Sequence, residues 1–209
     1  MIRWRRIRIY KLRKKAGRRG TLIAAKLEAL RANRGHGLTA GRRESRGLMN
    51  SEPKRVPTLY EWVGGNEKIE ALFRKFYQRV PSDPVLAPVF ANMPETHFMT
   101  VAHFVSEVLG GPKYYSGDGQ HTHSTMIAKH LSRHLTDAQR KQWVWLLLDT
   151  ADEMHLPADP EFRSALVGYL EWGSRIAVIN SASSENPVGP SAPMPSWGWG
   201  EVKGPYTPG

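Results

Sequence analysis

The sequence predicts an all-α domain over residues 58–180, set between a basic N-terminal arm and a Pro/Gly-rich C-terminal tail. Apolar residues in this central stretch recur at helical spacing, and no segment alternates convincingly at the period of two expected of a half-buried strand. The basic residues crowd into the first quarter: residues 1–48 hold 16 Lys/Arg and 2 acids, a net of +14, whereas residues 49–209 stand at −3. Residues 181–209 contain 6 Pro and 5 Gly in 29 positions, the composition of a tail rather than of a packed domain.

The helices read off in chain order. Thr58-Leu-Tyr-Glu61 fits a capping box, and Gly64-Gly65 breaks the chain after it. Ile69, Leu72, Phe73, Phe76, Tyr77 and Val80 form one apolar stripe, which Pro81 ends. Asp83-Pro84 opens a short helix towards Phe90. Phe98, Val101, Val105, Val108 and Leu109 mark a helix from Pro94 to Leu109, stopped by Gly110-Gly111-Pro112. After a glycine-containing loop, a short helix over 124–131 is expected to carry His130. Thr136-Asp137 begins a long helix to about His155, with Trp143, Leu146, Leu147 and Thr150 inward. The last helix, 159–179, runs on Phe162, Leu166, Tyr169, Leu170, Gly173 and Ile176.

The flanks have their own readings. The arm is disordered in isolation by composition. Three accounts of it stay open: a native start at Met49, a polyanion-binding arm, or an Arg-rich transit segment. In the tail, Trp197, Trp199 and Tyr206 are able to dock on a surface.

The chain has no cysteine, which excludes disulfides, thiolate zinc sites, iron–sulfur clusters and thioether-attached haem. The longest apolar run, Trp143–Leu148, is followed at once by Asp149, far short of a membrane span. Thr21–Leu30 carries Lys26 and Glu28, which argues against a secretory signal and leaves the cytoplasm as the expected location. There is no Walker loop, dinucleotide fingerprint or nucleophile elbow. The 8 histidines are the chemistry-bearing residues that stand out. His130 and His134 have the spacing of two zinc ligands on a helix, but Leu131 stands where a metalloprotease needs its Glu. Any one of these histidines, taken alone, reads as a solvated residue.

An ordered set of features changes that reading for His130. It comprises Thr-Leu-Tyr-Glu-Trp-Val-Gly-Gly (58–65), Phe76-Tyr77, Pro88-Val-Phe90, Gly-Gly-Pro-Lys-Tyr-Tyr (110–115), Lys129-His130, and Trp143 thirteen residues further on. In this order and spacing the central stretch of about 120 residues resembles the truncated haemoglobins, group II in particular. The resemblance implies a two-over-two helical sandwich, a truncated globin fold, around non-covalent haem b (iron protoporphyrin IX). It implies His130 as the proximal iron ligand, and Tyr77 and Trp143 as distal hydrogen-bond donors. It also implies Phe90 against the porphyrin and Val101 shaping the ligand cavity, with Lys113, Tyr115, His123 and Lys129 near the propionates. His97 falls at the gate of the distal helix when aligned back from Gly110-Gly111, and about one residue off when aligned forward from Phe90. His103 is expected at the surface. Periodicity alone would account for Tyr77 and Trp143 as core packing; family position gives them the distal role.

The function so implied is reversible binding of O2 and other diatomic ligands (NO, CO), as carrier or sensor. The alternative on the same pocket is a haem enzyme, performing NO dioxygenation or peroxidase-like oxidation of substrate by peroxide. With no reductase fused, turnover would need an external electron-donor reductase. A homodimer is allowed by the sequence and not specified by it. Binding of nucleic acid or another polyanion through residues 1–48 rests on charge alone.

Overall fold

The computed structural model describes residues 55–205. The arm over 1–48, the start at Met49 and Tyr206 therefore lie outside the described residues. Among the described residues every regular element is helical: α1 (Leu59–Val63), α2 (Gly65–Arg79), a 3-10 turn (Val80–Ser82), α3 (Ala87–Phe90), α4 (His97–Val108), α5 (His123–Ala128), α6 (Asp137–Glu153), α7 (Pro160–Ser181) and a last 3-10 turn (Gly200–Val202).

Local chemistry sets most of these boundaries. At α1 the Thr58 hydroxyl accepts from the Glu61 amide at 3.1 Å, and the Glu61 carboxylate accepts from the Thr58 amide at 2.8 Å. This satisfies two amides that a helix start leaves without partners. Reciprocal caps also open α5 (Thr122 with Thr125) and α6 (Thr136 with Gln139), while Asp159 caps α7 through the Phe162 amide. Gly64, at φ 103°, turns α1 into α2 in a conformation that side chains resist. Beyond Arg79 the chain tightens into the 3-10 turn at Pro81. Asp83 then gathers the amides of Val85 and Leu86 and starts the descent to α3. α4 begins at His97 rather than Pro94, because residues 94–96 form a turn without a side-chain cap.

α2 packs mainly on α4 and α6 on α7, and α2 also lies against α6, giving a two-over-two sandwich of helix pairs. Phe73, Phe76, Leu147 and Phe162 are fully buried where the pairs meet. Each such side chain contributes about 1.5–3 kcal/mol of transfer free energy. Arg79 ties α2 to α6, donating to Thr150 Oγ1 at 2.8 Å and to Asp149 at 2.5 Å. A wholly apolar void of about 20 Å³ remains between Leu72, Phe73, Val105, Leu147 and Phe162. None of the candidate site residues lines it. No helix among the described residues is long and apolar enough to cross a membrane.

Residues 182–205 lie on the domain as turns and extended stretches that end in the last 3-10 turn. The Trp197 amide donates to the Val108 carbonyl at 2.8 Å and its indole to the Ala165 carbonyl at 2.9 Å, with the ring against Trp172 and Tyr169. Trp199 is buried edge-on against Trp62, and its indole donates to the Pro57 carbonyl at 2.7 Å. Proline blocks helix here but not docking, since an extended chain can still bury its aromatic side chains.

Candidate functional site

α2, α3, α4 and α6 bring four of the candidate residues together. Tyr77, on the last turn of α2, is 5.4 Å from Phe90 and 5.1 Å from His97, ring centre to ring centre. Phe90 and His97 are 6.2 Å apart. Phe76 bridges to α6, at 4.9 Å from Tyr77 and 5.6 Å from Trp143. Burial pushes the Tyr77 phenol far above its ordinary value, partly offset by the Trp143 indole N–H facing its hydroxyl. Phe76 was not among the sequence candidates, although its place on the apolar stripe of α2 made it legible as core.

His130, in the turn after α5, is half-buried. Its pKa is lowered first by burial, with Arg133 and Lys129 adding to the effect. His97 is likewise lowered, first by burial and then by the charges of Lys129, His130 and Arg133. Both imidazoles are thus biased towards the neutral form. The Nδ1–H of His130 donates to the Met126 carbonyl at 3.0 Å, which leaves the Nε2 lone pair free. A backbone acceptor of this kind carries no sequence signal.

His130 is not inside a helix. α5 ends at Ala128 and His130 sits in the turn that follows, so the expected helix over 124–131 is shorter than the spacing suggested. Ser132 (φ 56°) and His134 (φ 49°) are left-handed there, and their amides donate to the carbonyls of Ser183 and Ser181. This strained turn removes the helical register that a His130–His134 zinc pair would need. Among the described residues no three His, Asp or Glu side chains converge on a metal-sized point.

The remaining candidates spread over the rim. Val101 lies half-buried one turn beyond His97 on α4. Tyr115 is buried against Phe104 and His121, and burial raises its phenol. Its hydroxyl lies beside Thr125 yet has no hydrogen-bond partner of acceptable geometry. Lys129 is exposed, with its ammonium 6.0 Å over the Tyr115 ring. Lys113 is exposed on the loop before Tyr115. His123 is turned to the C-terminal segment, donating from Nδ1 to the Pro193 carbonyl at 3.2 Å. His103 is half-buried rather than at the surface, with Nε2 3.0 Å from Glu70, because Glu70 and Tyr114 cover it.

Comparison with known proteins gives this arrangement a family. Residues 58–171 match the bacterial-like globin family. The chain is 31% identical over 127 residues to the group 2 truncated hemoglobin YjbI of Bacillus subtilis (strain 168), covering 61% of this chain and 92% of that protein. It is 34% identical over 92 residues to the group 1 truncated hemoglobin GlbN of Nostoc commune, 38% of this chain and 77% of that one. The truncated oxygen-avid haemoglobin from Bacillus subtilis superposes with a TM-score of 0.51 at 32% identity, over 58% of this chain and 99% of that structure. The group II truncated hemoglobin of Bacillus anthracis shares the fold at TM-score 0.54 and 24% identity, over 63% and 98% of the two chains. The helical sandwich is accordingly that of a truncated haemoglobin, and the chain belongs to the bacterial-like globin family, whose members hold haem b non-covalently.

Proposed function

We propose that residues 58–180 form the haem domain, with His130 Nε2 as the protein ligand to iron, and that the domain reversibly binds O2. The observation that carries this reading is the His130–Met126 hydrogen bond. It fixes the tautomer with Nδ1 protonated, and burial favours the neutral ring, so a basic Nε2 lone pair is available. The single-histidine donor set and the lack of cysteine suit a b-type haem. The orphaned Tyr115 hydroxyl, with Lys129 above its ring, suits a propionate carboxylate.

Haem held by His130, with Tyr115 and Lys129 towards its propionates, would supply the ferrous iron for diatomic-ligand binding. The Tyr77 hydroxyl and Trp143 indole would be the hydrogen-bond donors to such a ligand, and Phe76 and Phe90, packed on Tyr77, would keep water out. His97 narrows the entrance between Tyr77 and Phe90, and its neutral ring leaves the approach open to uncharged gases. The relative described as oxygen-avid supports O2 as the ligand. The cytoplasm is the proposed location.

The test is the absorption spectrum of the chain titrated with hemin. A Soret band that saturates at one haem per chain, and is lost or markedly altered in His130→Ala, is the expected result. A chain that stays colourless after hemin titration overturns the proposal.

A further inference from the structure

The family match ends at residue 171, and the solved relatives are used up by about two thirds of this chain. Residues 182–205 lie past that match, and their first part, together with Ser181 at the end of α7, bonds both to the turn after His130 and to the start of α5. On the near side, the Ser132 amide donates to the Ser183 carbonyl at 2.9 Å, and the His134 amide to the Ser181 carbonyl at 3.0 Å. The Leu135 amide donates to Ser181 Oγ at 2.9 Å. On the far side, the segment crosses α5 at its first turn. Asn186 Nδ2 donates to the Ser124 carbonyl at 2.9 Å, and Ser124 Oγ donates to the Val188 carbonyl at 2.8 Å. Asn186 is itself held by its Oδ1, which accepts from the Val188 amide at 3.0 Å. His123 donates to the Pro193 carbonyl, and Trp197 and Trp199 pin the distal end to the body.

These bonds fall on either side of His130 in the chain. Ser124 lies six residues before it and Ser132 two after, and both are tied to the same segment. The two left-handed residues after His130 matter here, because non-glycine residues hold that conformation only where their surroundings enforce it. The enforcing partners are the carbonyls of Ser181 and Ser183, at the end of α7 and just beyond it. Met126, whose carbonyl orients the His130 ring, lies between Ser124 and His130 on the stapled helix.

We infer that residues 182–193 are a strap that positions the proximal histidine, with Asn186 and Ser124 as its positioning residues. Loss of one strap bond lets α5 and the turn move, which alters the angle His130 presents to iron. Groups behind a metal ligand commonly tune it in this way. The inference rests on His130 being the haem ligand.

Full-length haem-loaded protein is compared with Asn186→Asp, which keeps the acceptor for Val188 but removes the donor to Ser124, and with Ser124→Ala. Three signals are read: the iron–histidine stretching band of the ferrous form, haem release to an excess of apomyoglobin, and amide exchange across 123–135 in the haem-free chain. The expected result is a shifted or broadened band, haem release roughly five- to tenfold faster, and faster exchange at Ser132 and His134. An unmoved band with release unchanged, while faster amide exchange shows that the strap has come away, overturns the inference. Ser124→Ala removes a single hydroxyl and decides the matter if Asn186→Asp does not fold. His130→Ala is the separate control: an unaltered haem spectrum there removes the reading of the site itself, whatever the strap variants do.

Discussion

The imidazole of His130 donates from Nδ1 to the carbonyl oxygen of Met126, four residues earlier and inside α5. The bond aligns the ring with the helix that precedes it and commits the proton to one nitrogen. In the haem-free chain His130 is therefore expected as a single neutral tautomer with Nδ1 protonated, visible in the nitrogen chemical shifts of its ring. Its folded pKa lies below the ordinary 6.5 because burial penalises the cation. The sign follows from proton binding: the unfolded chain takes up the proton first. The stability held by this group is complete above about pH 6.5 and is lost as pH falls from there. A mixture of tautomers at neutral pH would contradict this.

The Tyr77 hydroxyl and the Trp143 indole face one another, so in the proposed haem pocket their effects should not add. Tyr77→Phe and Trp143→Phe are each expected to speed O2 dissociation by roughly five- to tenfold, the loss of one hydrogen bond. The double variant should lose less than the product, because each donor helps to place the other. Stopped-flow O2 displacement measures all three, and strictly multiplicative effects would dissociate the pair.

Gly111 is fixed by space. A Cβ there would meet Tyr60 Cδ2 at 2.6 Å and the Ser106 carbonyl at 2.7 Å. Gly119, with φ 70°, has nothing within 4 Å. Gly111→Ala is expected to cost about 2–3 kcal/mol, the scale of overpacking, and Gly119→Ala about 1 kcal/mol from the left-handed backbone alone. Urea unfolding of the two variants side by side tests the ordering.

Trp199 is 9% exposed and packs against Trp62 near the start of the domain. Trp199→Ala should lower stability by about 3 kcal/mol, as for a large core truncation. A change in melting temperature too small to resolve would make residues 182–205 an ornament rather than part of the fold.

Arg140 is buried between α6 and α7, 2.7 Å from Asp137 and 2.8 Å from Glu171. Its guanidinium, after Lys141, holds the Asp137 carboxyl down at about 2. A depressed carboxylate stabilises the fold above the unfolded value of 3.8, and that contribution fades as pH drops from about 4 towards 2. Asp137→Asn should flatten the stability profile in that window and leave its slope near pH 7 unchanged.

The helices and their order are legible in the chain alone, because their causes are local. Thr58 and Glu61 cap one another across three residues, and the α2 stripe from Ile69 to Val80 repeats with the helix. The glycine pairs stop helices by backbone conformation. His130, Tyr77, Phe90 and Trp143 also stand out in the chain, through an ordered spacing that a family shares. How His130 is held is settled only in the folded molecule. The expected helix through it stops at Ala128, because Ser132 and His134 are drawn to carbonyls some fifty residues away. A pairing over that distance leaves no periodicity to read. The tail shows the same division: its prolines and glycines announced a tail rather than a packed domain, but which surface Trp197 and Trp199 would cover depended on the carbonyls of Ala165 and Pro57, which only the folded body brings within reach.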